Sequence, residues 1–311
     1  NGLIRLKLRK IIFLTLTRES MGNISAEWLS ALHRKRFYDI DIKDKENSVP
    51  IVPWIHPPLN QDIVRLLIKV GKKVSLKRQE KLISLGQSIH HLAVVTNGVT
   101  ARNFGNPTVA TEKAAAISPV GHLALGNLNF FTGRPAFGHY FALTNAEIYI
   151  CDRELIMPIL KTEPTLLASL IRHFESCALS DRIGLALMAF SPVEQRLKAF
   201  AISWAIHFAD SFYKDGKMWL RMPVPLTRSN RCLVANASSV STDNYLKKWK
   251  DEGVWIREGD YITFPVDFFE DAYKWMRHSE EQSSYTYASS LKELFELMPR
   301  IPQTINPLTS L

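Results

Sequence analysis

The run TLLASLIRHFESCALSDRIGLALMAF constrains this chain more than any other stretch. It opens at Glu163-Pro164, where proline sits comfortably in a first helical turn, and stops at Phe190-Ser191-Pro192, where proline pushes its predecessor off helical angles. At about 26 residues it is longer than the usual globular helix. Leu166, Leu170, Phe174, Cys177, Asp181 and Gly184 recur along it at three-four spacing on one face. That stripe predicts a partner helix, with packing against the chain's own preceding domain as the alternative.

Before this helix the period changes. From Val74 to Leu155 short β-type runs alternate with turns: LISLG, HHLAVVTNG, AAAISPVG and HYFALTNAEIYIC. Asn97-Gly98 is a hairpin signal, since both residues tolerate positive φ. Short strands at this spacing predict a small barrel or jelly roll with room for a ligand inside. Upstream, the charged KRFYDIDIKDKENS and the proline-rich VPIVPWIHPPLN read as an irregular lead-in. The first methionine is Met21, so residues 1–20 are expected to be an upstream extension outside the fold.

After the Ser191-Pro192 break, VEQRLKAFAISWAIHFADSFY predicts a second amphipathic helix, ended by Lys214-Asp215-Gly216. The next segment, TRSNRCLVANASSVSTDNYLKKWKDEGVWI, parses as two helices and a tight turn. Thr227 caps the first helix; Asn236-Ala237-Ser238 makes the turn and caps the second. Leu233, Val234, Tyr245, Leu246 and Trp249 face inward, leaving Ser239, Ser241, Asn244, Lys247 and Lys248 outward. VWIREGDYITF then predicts a hairpin with Glu258-Gly259-Asp260 at its tip, which completes a winged helix-turn-helix. Such a helix fits the major groove, with polar side chains reaching base edges and cations holding phosphates.

The 311 residues are 46% hydrophobic, enough for two ordinary cores. A formal charge of +9 fits a polyanion partner without demanding one. Cys151, Cys177 and Cys232 are too far apart for a disulfide framework or a cysteine zinc site, so a reducing cytoplasm is the expected setting. The apolar run within NGLIRLKLRKIIFLTLTRES is too short to span a bilayer, and no membrane partner is expected.

Taken in order, these parts resemble the catabolite activator and fumarate-nitrate regulator (Crp-Fnr) family, over about Lys69 to Phe264. The matching residues are Gly86 and Asn97-Gly98 in the β-region, the helix Pro164 to Phe190, the hinge FSPVEQRLKAFAISWA, and PLTRSNRCLVANASSVSTDNYLKKWKDEGVWI. The resemblance implies an α+β fold: an amino-terminal β-roll (a double-stranded jelly roll of the cyclic-nucleotide-binding kind), a long dimerisation helix and a carboxy-terminal winged helix-turn-helix. It implies a homodimer on a palindromic double-stranded DNA operator, RNA polymerase as a further partner, and no enzyme activity. Carried over by position, Thr227, Arg228, Ser238 and Lys247 match phosphate contacts, and Ser239, Val240 and Asn244 match base readers. Ser241 and Lys248 belong to the same DNA-facing set. The family's Arg or Glu followed by Arg is missing from the reading positions, which implies a different operator or weak base readout.

In the family's cyclic-nucleotide binders, a Gly-Glu pair holds the ribose and an Arg-Ser pair about ten residues later holds the phosphate. Here Gly126 is followed by Asn127, and Ala136-Phe137 or a neighbouring pair replaces Arg-Ser, which argues against cyclic AMP. Leu128, Phe130, Phe131 and Phe137 suggest an apolar or aromatic acid held by Arg134. Asp181 and Arg182 stand where the family's long helix meets its ligand. The effector site is therefore expected at Gly126, Asn127, Leu128, Arg134, Phe137 and Asp181.

No cofactor is expected; haem is the alternative, with His90, His91, His122 or His139 as axial ligand. Two other functions compete. A cupin-like metal enzyme would need paired ligands, but adjacent His90-His91 point to opposite faces of a strand. A regulator-like protein acting through a protein partner would explain weak base readout. The expected division is a lead-in (1–60), the β-roll (61–163), the dimerisation helix (164–190), the winged helix-turn-helix (191–275) and a tail (276–311).

Overall fold

The computed structural model describes residues 51–103, 115–223, 228–280 and 288–297. The expected extension at residues 1–20, most of the lead-in, the Thr227 cap and parts of the tail lie outside the described residues.

Residues 51–59 contain three prolines, which deny them a ladder, yet Val52, Trp54 and Ile55 are fully buried. Asn60 then caps helix α1 (Gln61–Val70), its side chain accepting from the Asp62 amide, and Ile63, Leu66 and Leu67 form the helix's inner stripe.

Eight strands follow: β1 (Lys72–Leu76), β2 (Lys81–Ile83), β3 (His91–Asn97), β4 (Thr100–Asn103), β5 (Ala115–Ser118), β6 (Leu123–Leu125), β7 (Tyr140–Ala142) and β8 (Ala146–Asp152), with the short helix α2 (Asn129–Thr132) between β6 and β7. They make two antiparallel four-stranded sheets, ordered β1-β8-β3-β6 and β2-β7-β4-β5. In β3 four successive residues, Leu92 to Val95, are buried; alternation fails there because α1 covers the strand's outer face. The Asn97-Gly98 turn requires its glycine: φ is +75°, and a Cβ would stand 2.1 Å from the Asn145 carbonyl oxygen.

Helix α3 (Arg153–Thr162) leads into α4 (Pro164–Phe190), which begins on the proline and ends at Ser191 as its flanks dictate. The stripe of Leu166, Leu170, Phe174, Cys177 and Gly184 is buried within this chain, which corrects the expectation that it awaits a partner helix. The row facing outward is a different one: Ile171, Glu175, Ala178, Arg182, Leu185 and Ala189.

Helix α5 (Val193–Phe208) is buried continuously from Ala199 to Ile206. The sequence predicted this helix as far as Tyr213. Instead β9 (Asp210–Lys214) turns at Asp215-Gly216 and pairs with β10 (Lys217–Pro223). Tertiary pairing overrides propensity there, and both turn residues have positive φ.

Helices α6 (Arg228–Val234) and α7 (Ser239–Asp251) precede the hairpin β11 (Ile256–Glu258) and β12 (Tyr261–Pro265), completing a sheet ordered β11-β12-β10-β9. After a 3-10 turn at Val266–Phe269, α8 (Glu270–Glu280) packs on α5. Helix α9 (Leu291–Leu297) buries Leu291, Leu294 and Phe295 in the same core. The amphipathic SLKELFELM segment therefore docks on its own chain.

Two clusters hold the molecule. One fills the β-roll between its sheets and α1. The other runs without a break from Val99, Ile117 and Phe141, through Trp54 and Leu187, to Trp204, Trp249 and Phe264.

Candidate nucleic-acid interface and the β-roll junction

Helix α7 is positioned from inside. Trp249 is 1% exposed, its ring tilted against Trp255 at 5.7 Å and edge-on to Phe268 at 5.4 Å. Its indole N–H donates to Glu194 Oε1 on α5 at 3.2 Å. At the other end the Ser238 hydroxyl oxygen accepts from the Ser241 amide at 3.0 Å, the cap its residue type predicts. Asn236 turns the chain between the helices with φ +47°.

With Thr242 and Trp249 buried, α7 turns Ser239, Val240, Asp243, Asn244, Lys247 and Lys248 outward; Ser241 is half-buried behind its cap. Two of the expected cations are engaged. Arg228 pairs with Asp243, one turn from Ser239 on the exposed face, and Lys248 Nζ lies 3.3 Å from Glu194 Oε1. Burial opposes charge on Glu194, but Trp249 and Lys248 outweigh it and hold its carboxyl below the usual range. Gly259 at the tip of the following hairpin has φ +60°, and its carbonyl accepts from Arg257 Nε at 3.1 Å.

The residues expected to hold an effector divide. Asn127 Nδ2 donates to the Tyr140 hydroxyl at 3.0 Å, and the Arg102 guanidinium lies 5.9 Å from the centre of the Tyr140 ring. Arg102 in turn pairs with Asp181 on α4. Asn127 and Asp181 thus belong to one network, joined by two residues the sequence did not single out. Gly126 takes φ +130° against the Leu92 side chain. Leu128 is half exposed, Arg134 exposed, and Phe137 78% exposed, so these three lie outside the network. Phe130 is core and Phe131 partly buried against it; both are packing residues.

Burial opposes charge on both Arg102 and Asp181, yet each stabilises the other: the Arg102 pKa is raised, and Arg102 with His56 holds Asp181 down at about 2. Burial pushes the His122 pKa to about 4. Its ring meets His207 of α5 edge-on at 5.4 Å, and neither Nε2 has a partner among the described residues. Of the other histidines named for haem, His90 is exposed, His91 pairs with Asp152 at 2.9 Å, and His139 Nδ1 accepts from the Leu85 amide at 3.1 Å. No group of three or more His, Cys, Asp or Glu among the described residues could hold a metal ion, and no described helix is long and apolar enough to cross a membrane.

Solved structures share this arrangement. FixK2 from Bradyrhizobium japonicum aligns with a TM-score of 0.52 at 11% identity, over 63% of this chain and 92% of its own. The c-di-GMP responsive global regulator CLP of Xanthomonas campestris aligns at 0.50 and 13%, over 65% and 97%. A CooA mutant from Carboxydothermus hydrogenoformans aligns at 0.51 and 12%, over 68% and 90%. These are Crp-Fnr regulators.

The chain has the Crp-Fnr fold.

The assignment rests on shape, since no family model and no curated protein matches the sequence. The Crp-Fnr fold takes up about two thirds of the chain in these alignments. Sequence reasoning missed Asp243, Glu194, Arg102 and His56. Asp243 had a signal, being the acid beside Asn244 on the predicted outward face; the other three owe their places to residues more than fifty positions away.

Proposed function

We propose that this chain is a DNA-binding transcription regulator that works as a symmetric dimer. The observation that carries the reading is α7: capped by Ser238, anchored by Trp249, and presenting Ser239, Val240, Asn244 and Lys247 outward between a tight turn and a hairpin. A helix so displayed enters a major groove with Ser and Asn at base edges and Lys247 at a phosphate, while the hairpin lies along the backbone. Arg228 reaches phosphate by leaving Asp243.

The dimer forms through the outward row of α4. Ile171, Ala178 and Leu185 recur every seven residues, interleaved with Glu175, Arg182 and Ala189, and Ile171 and Leu185 are 46% and 47% exposed. One apolar residue per heptad gives each helix a narrow apolar line to set against its copy, with Glu175 and Arg182 beside it as the charged flank. A two-fold axis along the seam pairs two α7 helices and calls for a palindromic operator. RNA polymerase is the further partner of this reading.

Selection of bound sequences from random double-stranded DNA by the full-length protein tests it. Enrichment of a two-fold symmetric site is the expected result; an unenriched pool overturns it. A regulator-like protein working through a protein partner is the second reading, favoured by the pairs Arg228–Asp243 and Lys248–Glu194, which occupy two cations otherwise available to phosphate.

A further inference from the structure

Three inward residues on one stretch of α4 all meet the same short segment of chain. The Ser180 hydroxyl donates to the Val52 carbonyl at 2.7 Å and lies 3.2 Å from that of Ile55. Asp181 accepts from His56 Nε2 at 3.3 Å and from Arg102. Gly184 leaves room for Trp54: a Cβ there would stand 2.7 Å from the indole nitrogen.

That segment is itself sewn to the β-roll. The Ile117 amide donates to the Trp54 carbonyl at 2.7 Å, the His56 amide to the Ile117 carbonyl at 3.2 Å, and the His56 ring lies 3.4 Å from the Ser118 hydroxyl. On the far side, Asn127, Tyr140 and Arg102 extend the network to the loop after β6. Trp54 takes φ +63°, a conformation tryptophan adopts only when its surroundings impose it, and is 1% exposed.

A buried ion pair is weak evidence for global stability, because apolar residues of similar volume can replace it at little cost to the folded state as a whole. What buried charges can add is a single register between two elements. Here the register is that of α4 on the β-roll, and the chain itself supplies every group that sets it.

We propose that residues 51–56 and Arg102 form an internal clasp that fixes α4 on the β-roll in the place of a bound small molecule. The chain then takes its DNA-binding arrangement with no effector at this face; that second half rests on the regulator reading above.

The test uses the full chain, hydrogen exchange of residues 51–56 and 180–187, and affinity for the DNA selected above, each with and without cyclic AMP or phenylacetate. Gly184→Ala pushes on Trp54 without altering charge, and alanine favours the helix more than glycine does. The double variant R102M/D181L removes the charges and keeps the volume, so its fold is retained. Wild type should exchange slowly and bind DNA with nothing added, and neither compound should change either property. Gly184→Ala and the double variant should each raise exchange in both segments and lower DNA affinity by about tenfold or more. The clasp is overturned if either compound slows exchange or tightens DNA binding in wild type, or if both variants exchange as wild type does. Wild type that binds no DNA, while exchange follows the expected pattern, sinks the regulator reading and leaves the clasp supported.

Discussion

Trp249 on α7 and Glu194 on α5 are joined by an indole-to-carboxylate hydrogen bond of 3.2 Å, which ties the outward helix to the first helix after the Ser191-Pro192 break. Glu194→Ala leaves that buried N–H without its acceptor. A loss of about 1–3 kcal/mol is expected in urea unfolding. Because the Glu194 pKa is lowered in the fold, its contribution is present above the unfolded carboxylate value and fades as pH falls through the folded one. The difference between wild type and variant should therefore shrink in acid.

Lys247 and Lys248 differ in the same way. Lys248 is held by Glu194, whereas Lys247 stands exposed on α7. Lys247→Ala should reduce the slope of log affinity against log salt by about 0.9, one phosphate contact. Lys248→Ala should change it less; equal slopes in all three proteins would remove Lys247 from the interface.

Asp243 puts a carboxylate on a surface that is to meet phosphates, and it ties up Arg228. An exposed pair of this kind is worth little to folding. Asp243→Asn should therefore leave thermal stability unchanged and raise DNA affinity severalfold in a filter-binding or anisotropy titration. A fall in affinity would instead make Asp243 a group that positions Arg228 for contact.

Gly98→Ala is expected to be costly. Positive φ alone penalises it by about 1–3 kcal/mol, and the Asn145 carbonyl stands in the way of the new methyl group. Chemical denaturation of the full chain measures it.

Acid should weaken the junction of β-roll and α5. Burial lowers the pKa of both His122 and His207, His122 to about 4 from 6.5. The unfolded chain then binds more protons in that window, so stability falls as pH drops from about 6.5 toward 4. The variant His122→Gln, His207→Gln should show a flatter urea midpoint across the window than wild type.

Much of this fold was legible in local chemistry. Asn97-Gly98, Pro164, the Ser191-Pro192 break and the Ser238 cap each act through their own backbone or that of a near neighbour, and each stands where its residue type implies. The face of α4 was harder to read. Periodicity finds the stripe Leu166-Leu170-Phe174-Cys177, but it cannot say whether a second helix or the chain's own β-roll covers it, because either cover demands the same apolar spacing. Residues 51–59 read as loop because prolines forbid regular structure, but irregular backbone can still be buried when distant groups such as Ser180 and Ile117 satisfy it. The candidate DNA face was visible as a pattern; its internal pairs, Arg228 with Asp243 and Lys248 with Glu194, depend on which turn of one helix lies over another.

The core that runs from Phe141 through Trp54 to Phe264 has a consequence for how the molecule comes apart. Its two ends share an interior, so neither melts while the other stays dry. Heating should give one cooperative transition for this core, and a fragment cut at Ser191 would expose Phe200 and Trp204 to water. A signal that reached α4 would have to travel through packing that yields all at once.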